Sequence, residues 1–478
     1  MDPDPQSRSF RRTMYRAAER LTGRRIEATY RALLAHDTLG ADEIRALQWH
    51  KLKALLEDVY SSVPFYRRRF EEAGIRPDDV RGWEDFRRLP LTSKRDIKAA
   101  YPHEVVASDR LHTRLIERVT TGTTDAPLRF VIDTEMFDLG VARALRVLDW
   151  AGSTLGDRMV QLGPIRERRG LQHRLFAHMT QRLVLDTLAL TTSSTPLCCP
   201  ADTSVPDQID LDRAGRYCRS IAAQRPGLIY GYVTDLLALA AYIEHTGFTG
   251  IRPRAVVSSA EILTDPARRR LETIFGAEVF DLYGATEFPA IACECEVHNG
   301  LHVLSDSYVV EIISDGRDAS PGETGEVVIT DLDNRVMPFI RYRIGDAARA
   351  TDRRCSCGRS FPLIDMIEGR TSEVVVAPGG RLLLARRFAT ILQEMEDVRA
   401  FRIVQERIDR LDVQIVTRPS WTSQHGESLI QRIRALVGED MEVTLSQVPD
   451  LAVDPSRKER YLYSSVEYDI VGGRCYRS

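Results

Sequence analysis

The chain has 478 residues, 43% of them hydrophobic and 28% charged, and a formal net charge of -3. That length exceeds what one hydrophobic core serves, so two or three domains are expected. The balanced charge excludes the basic footprint of a nucleic-acid or anionic-membrane partner, and no apolar run reaches membrane-spanning length. The opening MDPDPQSRSFRR lacks the apolar core of a signal peptide, so a cytoplasmic protein with reduced cysteines is expected.

In chain order, residues 1–35 are Arg-rich and read as helix. Asp42 is placed to cap a helix through Tyr60, with Leu52, Leu55, Leu56 and Val59 as its apolar stripe. Val63-Pro64-Phe65-Tyr66-Arg67 and Leu89-Pro90-Leu91-Thr92-Ser93-Lys94 are helix entries fixed by proline, with no chemistry of their own. Thr120-Thr121-Gly122-Thr123-Thr124-Asp125-Ala126-Pro127 lies between two short strands. Four hydroxyls around one glycine can converge on an anion with the backbone N–H groups of the turn, although a plain hairpin loop has the same composition.

A helix is expected from Glu135 to Trp150, a strand from Met159 to Gly163, and a turn-rich connection over 190–208 that includes Cys198 and Cys199. Then come strand Gly227–Tyr230, helix Thr234–His245 closed by Gly247, and strand Ala255–Ser259. A helix capped by Asp265 runs to Phe275, and a strand from Val279 to Leu282 follows. This alternation predicts an α/β body, a mixed or parallel sheet with helices on its faces. Phe280-Asp281-Leu282-Tyr283-Gly284-Ala285-Thr286-Glu287 therefore sits where a strand runs out, the end at which open α/β sheets bind ligands. There Tyr283 can lie on a flat base, Gly284 lets backbone approach, and Thr286 beside Glu287 can face phosphate and magnesium.

Farther on, Tyr342-Arg343-Ile344-Gly345-Asp346 reads as a strand ending in a carboxylate suited to a ribose diol. Gly369-Arg370-Thr371 separates the body from a tail of order βαββαβ, that of a small α+β ferredoxin-like domain. The expected division is 1–369 and 370–478. Cys293, Cys295, His298 and His302 precede Cys355 and Cys357 by about sixty residues. Four of these soft ligands suffice for one tetrahedral, structural zinc: Cys295, His302, Cys355 and Cys357, with Cys293 and His298 as substitutes.

Taken together, these segments resemble the adenylate-forming enzymes, in the branch of the phenylacetate–coenzyme A ligases and similar capsule-biosynthesis proteins. The likeness spans nearly the whole chain, and the cysteine–histidine cluster matches a zinc knuckle found in some members. It implies a large body and a small mobile C-terminal domain. It implies attack of a small, aromatic carboxylic acid on the α-phosphate of ATP, then transfer of the acyl group to coenzyme A. Thr120, Thr121, Gly122, Thr123 and Thr124 would cradle phosphates, and Ser259, Ala260, Glu261, Asp281, Tyr283 and Gly284 would border the nucleotide. Asp346 would hold the ribose, Arg370 would mark the hinge, and Glu287 would hold Mg²⁺ with Thr286 near the α-phosphate. Lys458 would bridge the attacking carboxylate and the α-phosphate. The acid pocket would draw on Gly163, Tyr232, Ser258, Phe288 and Pro289. Two departures stand out: Asp125 replaces a family glycine, and Arg457 replaces the glycine before the catalytic lysine. These departures support a non-catalytic nucleotide-binding module as an alternative; separate alternatives keep the adenylation chemistry with an amine or carrier-protein acceptor, or with another oxyanion such as nitrite. The oligomeric state, a homodimer included, stays open.

Overall fold

A computed structural model of the chain describes residues 5–110, 114–120, 127–163, 181–187, 190, 209–378, 381–395, 397–451, 462–472 and 474–476. Thr121, Gly122, Thr123, Thr124, Asp125, Arg457 and Lys458, with Cys198 and Cys199, lie outside the described residues. Two compact units form, each from separate stretches of chain. The first holds Met1–Ala17, Leu148–Leu282 and Glu368–Ser478; the second holds Ala18–Val147 and Tyr283–Ile367.

The first unit is built on parallel strands in the order Glu278–Tyr283, Ala255–Ser259, Leu228–Tyr232, Met159–Gly163, Arg182–Asp186. All five residues of Ala255–Ser259 are buried, as a strand covered on both faces requires. Helices Leu211–Gln224, Val233–Thr246 and Asp265–Phe275 supply the covering apolar side chains, among them Leu236, Leu271 and Phe275. The first three of these strands in the chain are Met159–Gly163, Arg182–Asp186 and Leu228–Tyr232, and the second and third pair on opposite sides of the first. The sheet order thus reverses between Gly163 and Tyr232. Such a switch point opens a crevice at the carboxyl ends of the strands.

The C-terminal stretch adds an α+β sheet in the order Glu442–Gln447, Arg410–Thr417, Val398–Arg407, Leu462–Ser464. Its central pair is antiparallel and both outer pairs are parallel. The expected first strand does not join it. Val374–Val376 pairs instead with Leu382–Leu384, because only five residues separate them and a hairpin forms first. The buried Gln405 amide links the two ladders, accepting from Val376 N at 3.0 Å and donating to Val376 O at 2.7 Å. Within the same unit, Thr264 Oγ1 is hydrogen-bonded to Gln393 Oε1, and Arg386 lies 3.7 Å from Asp265.

The second unit contains the hairpin Ile116–Val119 with Arg129–Ile132 and a sheet built from Tyr308–Ser314, Thr324–Asp331 and Tyr342–Ala350. Strands Leu301–Val303 and Ala292–Glu294 pair antiparallel. Helix Thr134–Trp150 carries Arg143 and Arg146, both fully buried. A buried guanidinium must be paired, and each is. Arg143 donates to Tyr308 at 2.8 Å and faces Asp331 and Asp333; Arg146 donates to Asp37 at 2.8 Å and Asp306 at 2.7 Å.

Three local expectations are corrected. Helix Ala41–Ser62 begins at Gly40, whose N–H is taken by Glu43 at 2.8 Å, so Asp42 lies in the first turn. The cap of Asp265–Phe275 is Thr264, one residue earlier than expected, because its hydroxyl accepts from Ala267 N and Pro266 already occupies the first turn. Finally, Gly345-Asp346 falls in the middle of strand Tyr342–Ala350, not at its end.

Candidate nucleotide site and metal cluster

Strand Glu278–Tyr283 runs directly into a tight turn. Ala285 N donates to Phe288 O at 2.8 Å and Phe288 N donates back to Ala285 O at 3.1 Å, which puts Thr286 and Glu287 at the tip. Gly284 permits the turn: a Cβ there would meet the Pro289 carbonyl oxygen at 2.5 Å. Phe288 anchors the turn from below. It is fully buried, with ring centroids 5.4 Å from Phe339 and 5.9 Å from Tyr308. Phe288 is thus an interior anchor, while Thr286 and Pro289 are exposed.

The strand bearing Asp346 is bulged. Val328 pairs with Arg343 and Glu326 with Ala347, so Val327 alone stands opposite Ile344, Gly345 and Asp346. Gly345 takes φ +84, a left-handed conformation that suits glycine. Bulges of this kind re-aim side chains. Here the Tyr283 hydroxyl donates to Asp346 Oδ2 at 2.9 Å. Tyr342, on the same strand, donates to Glu287 Oε1 at 3.4 Å. Each of the two carboxylates, Asp346 and Glu287, is therefore held by a tyrosine hydroxyl. Thr120 is buried, and its hydroxyl accepts from Leu128 N at 2.9 Å, closing the mouth of the hairpin that carries the threonine loop.

In the first unit, the carboxyl ends of the parallel strands carry the remaining expected residues. Gly163 and Tyr232 end the two strands flanking the switch point. Ser258 faces Phe280 O at 3.4 Å and Asp281 Oδ1 at 3.3 Å, and Ser259 donates to Leu282 O at 2.9 Å. Ala260 sits at φ +69, unusual for a residue with a Cβ. That turn brings Glu261 across to helix Val233–Thr246, where it accepts from Thr234 N at 2.8 Å. Gly369 also has positive φ, at +137, just before Arg370. Asp235 is a residue that sequence reasoning missed. It is buried in the first turn of the helix after Tyr232 and accepts from Thr187 Oγ1 at 2.8 Å. Burial, and then the neighbouring Glu261, push its carboxyl up to about 7. Its signal was an acid in the first turn of an otherwise apolar helix.

Cys295, His302, Cys355 and Cys357 form the metal candidate: their ligand atoms all lie within 4.8 Å of one another. Cys295 Sγ is 3.5 Å from Cys355 Sγ, and Cys357 Sγ is 3.3 Å from His302 Nε2. Tetrahedral bonds of ~2.3 Å to sulfur place ligand atoms roughly 3.8 Å apart, so the set fits zinc. The surroundings fit as well. His302 Nδ1 lies 3.2 Å from Phe361 O, leaving Nε2 for the metal, and burial pushes its pKa down so the ring is neutral. Val297 N and Arg359 N each donate to a cysteine sulfur at 3.5 Å. Of the substitutes, His298 is paired with Glu294 at 3.1 Å, and Cys293 is fully buried in its strand. Neither belongs to the cluster.

The chain was compared with known proteins. The profile of the CapK C-terminal domain matches residues 375–465. Phenylacetate-coenzyme A ligase of Thermus thermophilus is 29% identical over 389 residues, covering 79% of this chain and 81% of that protein. The Escherichia coli phenylacetate-coenzyme A ligase is 27% identical over 433 residues, covering 86% and 92%. Protein CapK of Staphylococcus aureus is 24% identical over 204 residues, covering 42% and 44%. Among solved structures, 2-hydroxyisobutyryl-CoA ligase in its postadenylation state superimposes with a TM-score of 0.70 at 21% identity, covering 90% of this chain and 91% of that one. Similarity to the phenylacetate-coenzyme A ligases thus runs through about four-fifths of the chain, and the CapK C-terminal domain matches at its C-terminal end.

Proposed function

We propose that the protein is an AMP-forming acid–coenzyme A ligase. A carboxylate attacks the α-phosphate of ATP, giving an acyl-adenylate and pyrophosphate; the thiol of coenzyme A then displaces AMP to form the thioester. The observation that carries this reading is the Tyr283–Asp346 hydrogen bond, which sets a base-stacking ring and a diol-binding carboxylate side by side at a strand end. Both reactants of the first step are anionic, so catalysis rests on positioning and charge neutralisation. Glu287, at the tip of its turn, would hold Mg²⁺, a hard cation that prefers carboxylate oxygen. The ion would offset phosphate charge. Lys458 would stand between the two anions.

The finer reading is a small aromatic acid, bound by Gly163, Tyr232 and Ser258 at the switch point of the sheet. The phenylacetate ligases among the relatives support it. The four-ligand cluster would hold one structural zinc. The matched profile supports a C-terminal domain beginning near 370, with Gly369-Arg370 as its hinge. No helix among the described residues is long and apolar enough to cross a membrane, and a cytoplasmic location accords with that. ATP–pyrophosphate exchange over a panel including phenylacetate, benzoate, 2-hydroxyisobutyrate and nitrite, followed by coenzyme A, amine and carrier-thiol acceptors, tests the whole reading. Exchange with none of the acids would favour a non-catalytic nucleotide-binding protein.

A further inference from the structure

Two proline-marked segments near the N-terminus carried no chemistry in the sequence. In the second unit they converge on one target, the backbone just ahead of Tyr342. Tyr66 is buried to 1% exposure, and its hydroxyl donates to Pro338 O at 3.1 Å and accepts from Ile340 N at 3.0 Å. Thr92 lies alongside as an isolated parallel bridge: Thr92 N donates to Arg341 O at 2.9 Å, and Arg343 N donates to Thr92 O at 2.8 Å.

Between these holds, Arg341 takes φ +44, a conformation that must be maintained by its surroundings. Its guanidinium is clamped by Glu311 at 2.9 Å and by the carbonyls of Arg87 and Leu89, which lead into the Thr92 segment. The next residue is Tyr342, whose phenol reaches Glu287. The Phe339 ring, three residues before Tyr342, packs 4.9 Å from Tyr342 and 5.4 Å from Phe288.

We infer that Tyr66, together with the backbone of Thr92, is a positioning element of the nucleotide site: it fixes the irregular stretch 338–341 that leads into Tyr342, and through the Tyr342 phenol it fixes the carboxylate of Glu287. This rests on the reading of Glu287 as the magnesium-facing group. The ladder with Thr324–Asp331 begins only at Tyr342, so the backbone of 338–341 ahead of it has no ladder to set its register. Its buried N–H and C=O groups take whatever partners are supplied, and here one phenol supplies two of them. Without that hydroxyl, Ile340 N and Pro338 O lose their partner, and the segment shifts to find others. Tyr342 shifts with it.

Tyr66→Phe keeps the ring and removes only the hydroxyl. The expected result is a magnesium-ATP KM raised roughly three- to tenfold, with a smaller change in kcat, and a magnesium titration midpoint displaced in the same direction. Tyr342→Phe should produce a similar shift, and the double variant should be no worse than the more affected single one, since both act along one path. Should Tyr66→Phe fail to fold, Ser93→Ala supplies a milder test. Ser93 accepts from Asp96 N at 3.2 Å, capping the helix that follows Thr92 at the surface, and its loss should move KM in the same direction. A lowered melting temperature with unchanged KM and magnesium dependence would reduce Tyr66 to a core residue and overturn the inference. So would KM effects that multiply in the double variant. Glu287→Gln, measured alongside, separates the two levels. If it shifts the magnesium titration and Tyr66→Phe does not, the positioning role fails alone; if Glu287→Gln shifts nothing, the reading of the site fails.

Discussion

The phenol of Tyr283 donates to Asp346 Oδ2 at 2.9 Å, joining residues 63 apart in the chain. Both side chains are nearly buried, so the bond fixes the orientation of the carboxylate before any ligand arrives. Tyr283→Phe keeps the aromatic face and removes the donor. Asp346 then loses that hydrogen bond, and the ribose loses part of its preorganised partner. ATP affinity should fall by about tenfold, on the order of the cost of one hydrogen bond to a charged group. Isothermal titration with a non-hydrolysable ATP analogue measures this; unaltered affinity would remove Asp346 from the ribose site.

The cysteine cluster should carry about one zinc per chain. Cys295→Ser and Cys355→Ser should each lose the metal and several degrees of melting temperature. Cys293→Ser and His298→Ala should retain it, because His298 is paired with Glu294 and Cys293 lies outside the cluster. Metal analysis of the four variants decides. A chain that binds no zinc, and whose melting curve ignores a chelator, is incompatible with the assignment.

Lys458 is proposed to act where the acid and the α-phosphate are forced together. A charge needed at that moment contributes to the transition state more than to ATP binding. Lys458→Ala should lose acid-dependent pyrophosphate exchange by roughly 10²–10³-fold, as removal of a single electrostatic stabiliser commonly does. It should still convert a supplied acyl-adenylate to product with the acceptor. Normal exchange in the variant would point to another lysine, or to the displaced loop that Arg457 in place of glycine allows.

Asp235 predicts a pH effect on stability. Its folded carboxyl titrates at about 7, pushed up by burial, by Glu261 and by Asp186, against about 4 for an unfolded aspartate. A raised acid favours the fold while protonated. Its contribution is fully present below about pH 4 and is lost as pH rises toward 7, levelling off above that. Asp235→Asn cannot ionise, and its amide oxygen can still accept from Thr187. The variant should therefore gain on the wild type between pH 5 and pH 8, by on the order of 1–4 kcal/mol. Parallel melting curves across that range would show that Asp235 does not change charge there.

Much of this was readable in the residues. The strands Ala255–Ser259 and Met159–Gly163 stand where the sequence predicted them, since short apolar-rich segments between turns suit strands buried in a parallel sheet. The metal cluster was legible because soft ligands at close spacing have few other uses. Asp346 was legible as a carboxylate but not as a mid-strand bulge, because register shifts depend on the opposing strand, here Glu326 to Val328. Phe288 looked like a pocket wall beside Pro289, yet it is the turn's anchor. Which way a side chain leaves a turn depends on rings such as Phe339 and Tyr308, far off in sequence. Asp235 went unnoticed for the same reason: its partners Thr187 and Glu261 come from two other strand ends.

The second unit is made of two stretches with residues 148–282 between them, and this has a consequence during synthesis. Translation runs at about 5–20 residues per second, so the wait from 148 to 283 lasts roughly 7–27 s. Throughout it, helix Thr134–Trp150 has emerged while Asp306, Asp331 and Asp333 do not yet exist. Arg143, fully enclosed in the finished protein, lacks its acids until Asp331 and Asp333 arrive, and Arg146 has only Asp37 of its two until Asp306 is made. Their charge keeps the nascent helix from collapsing into a premature apolar core, because a guanidinium without its carboxylate resists burial.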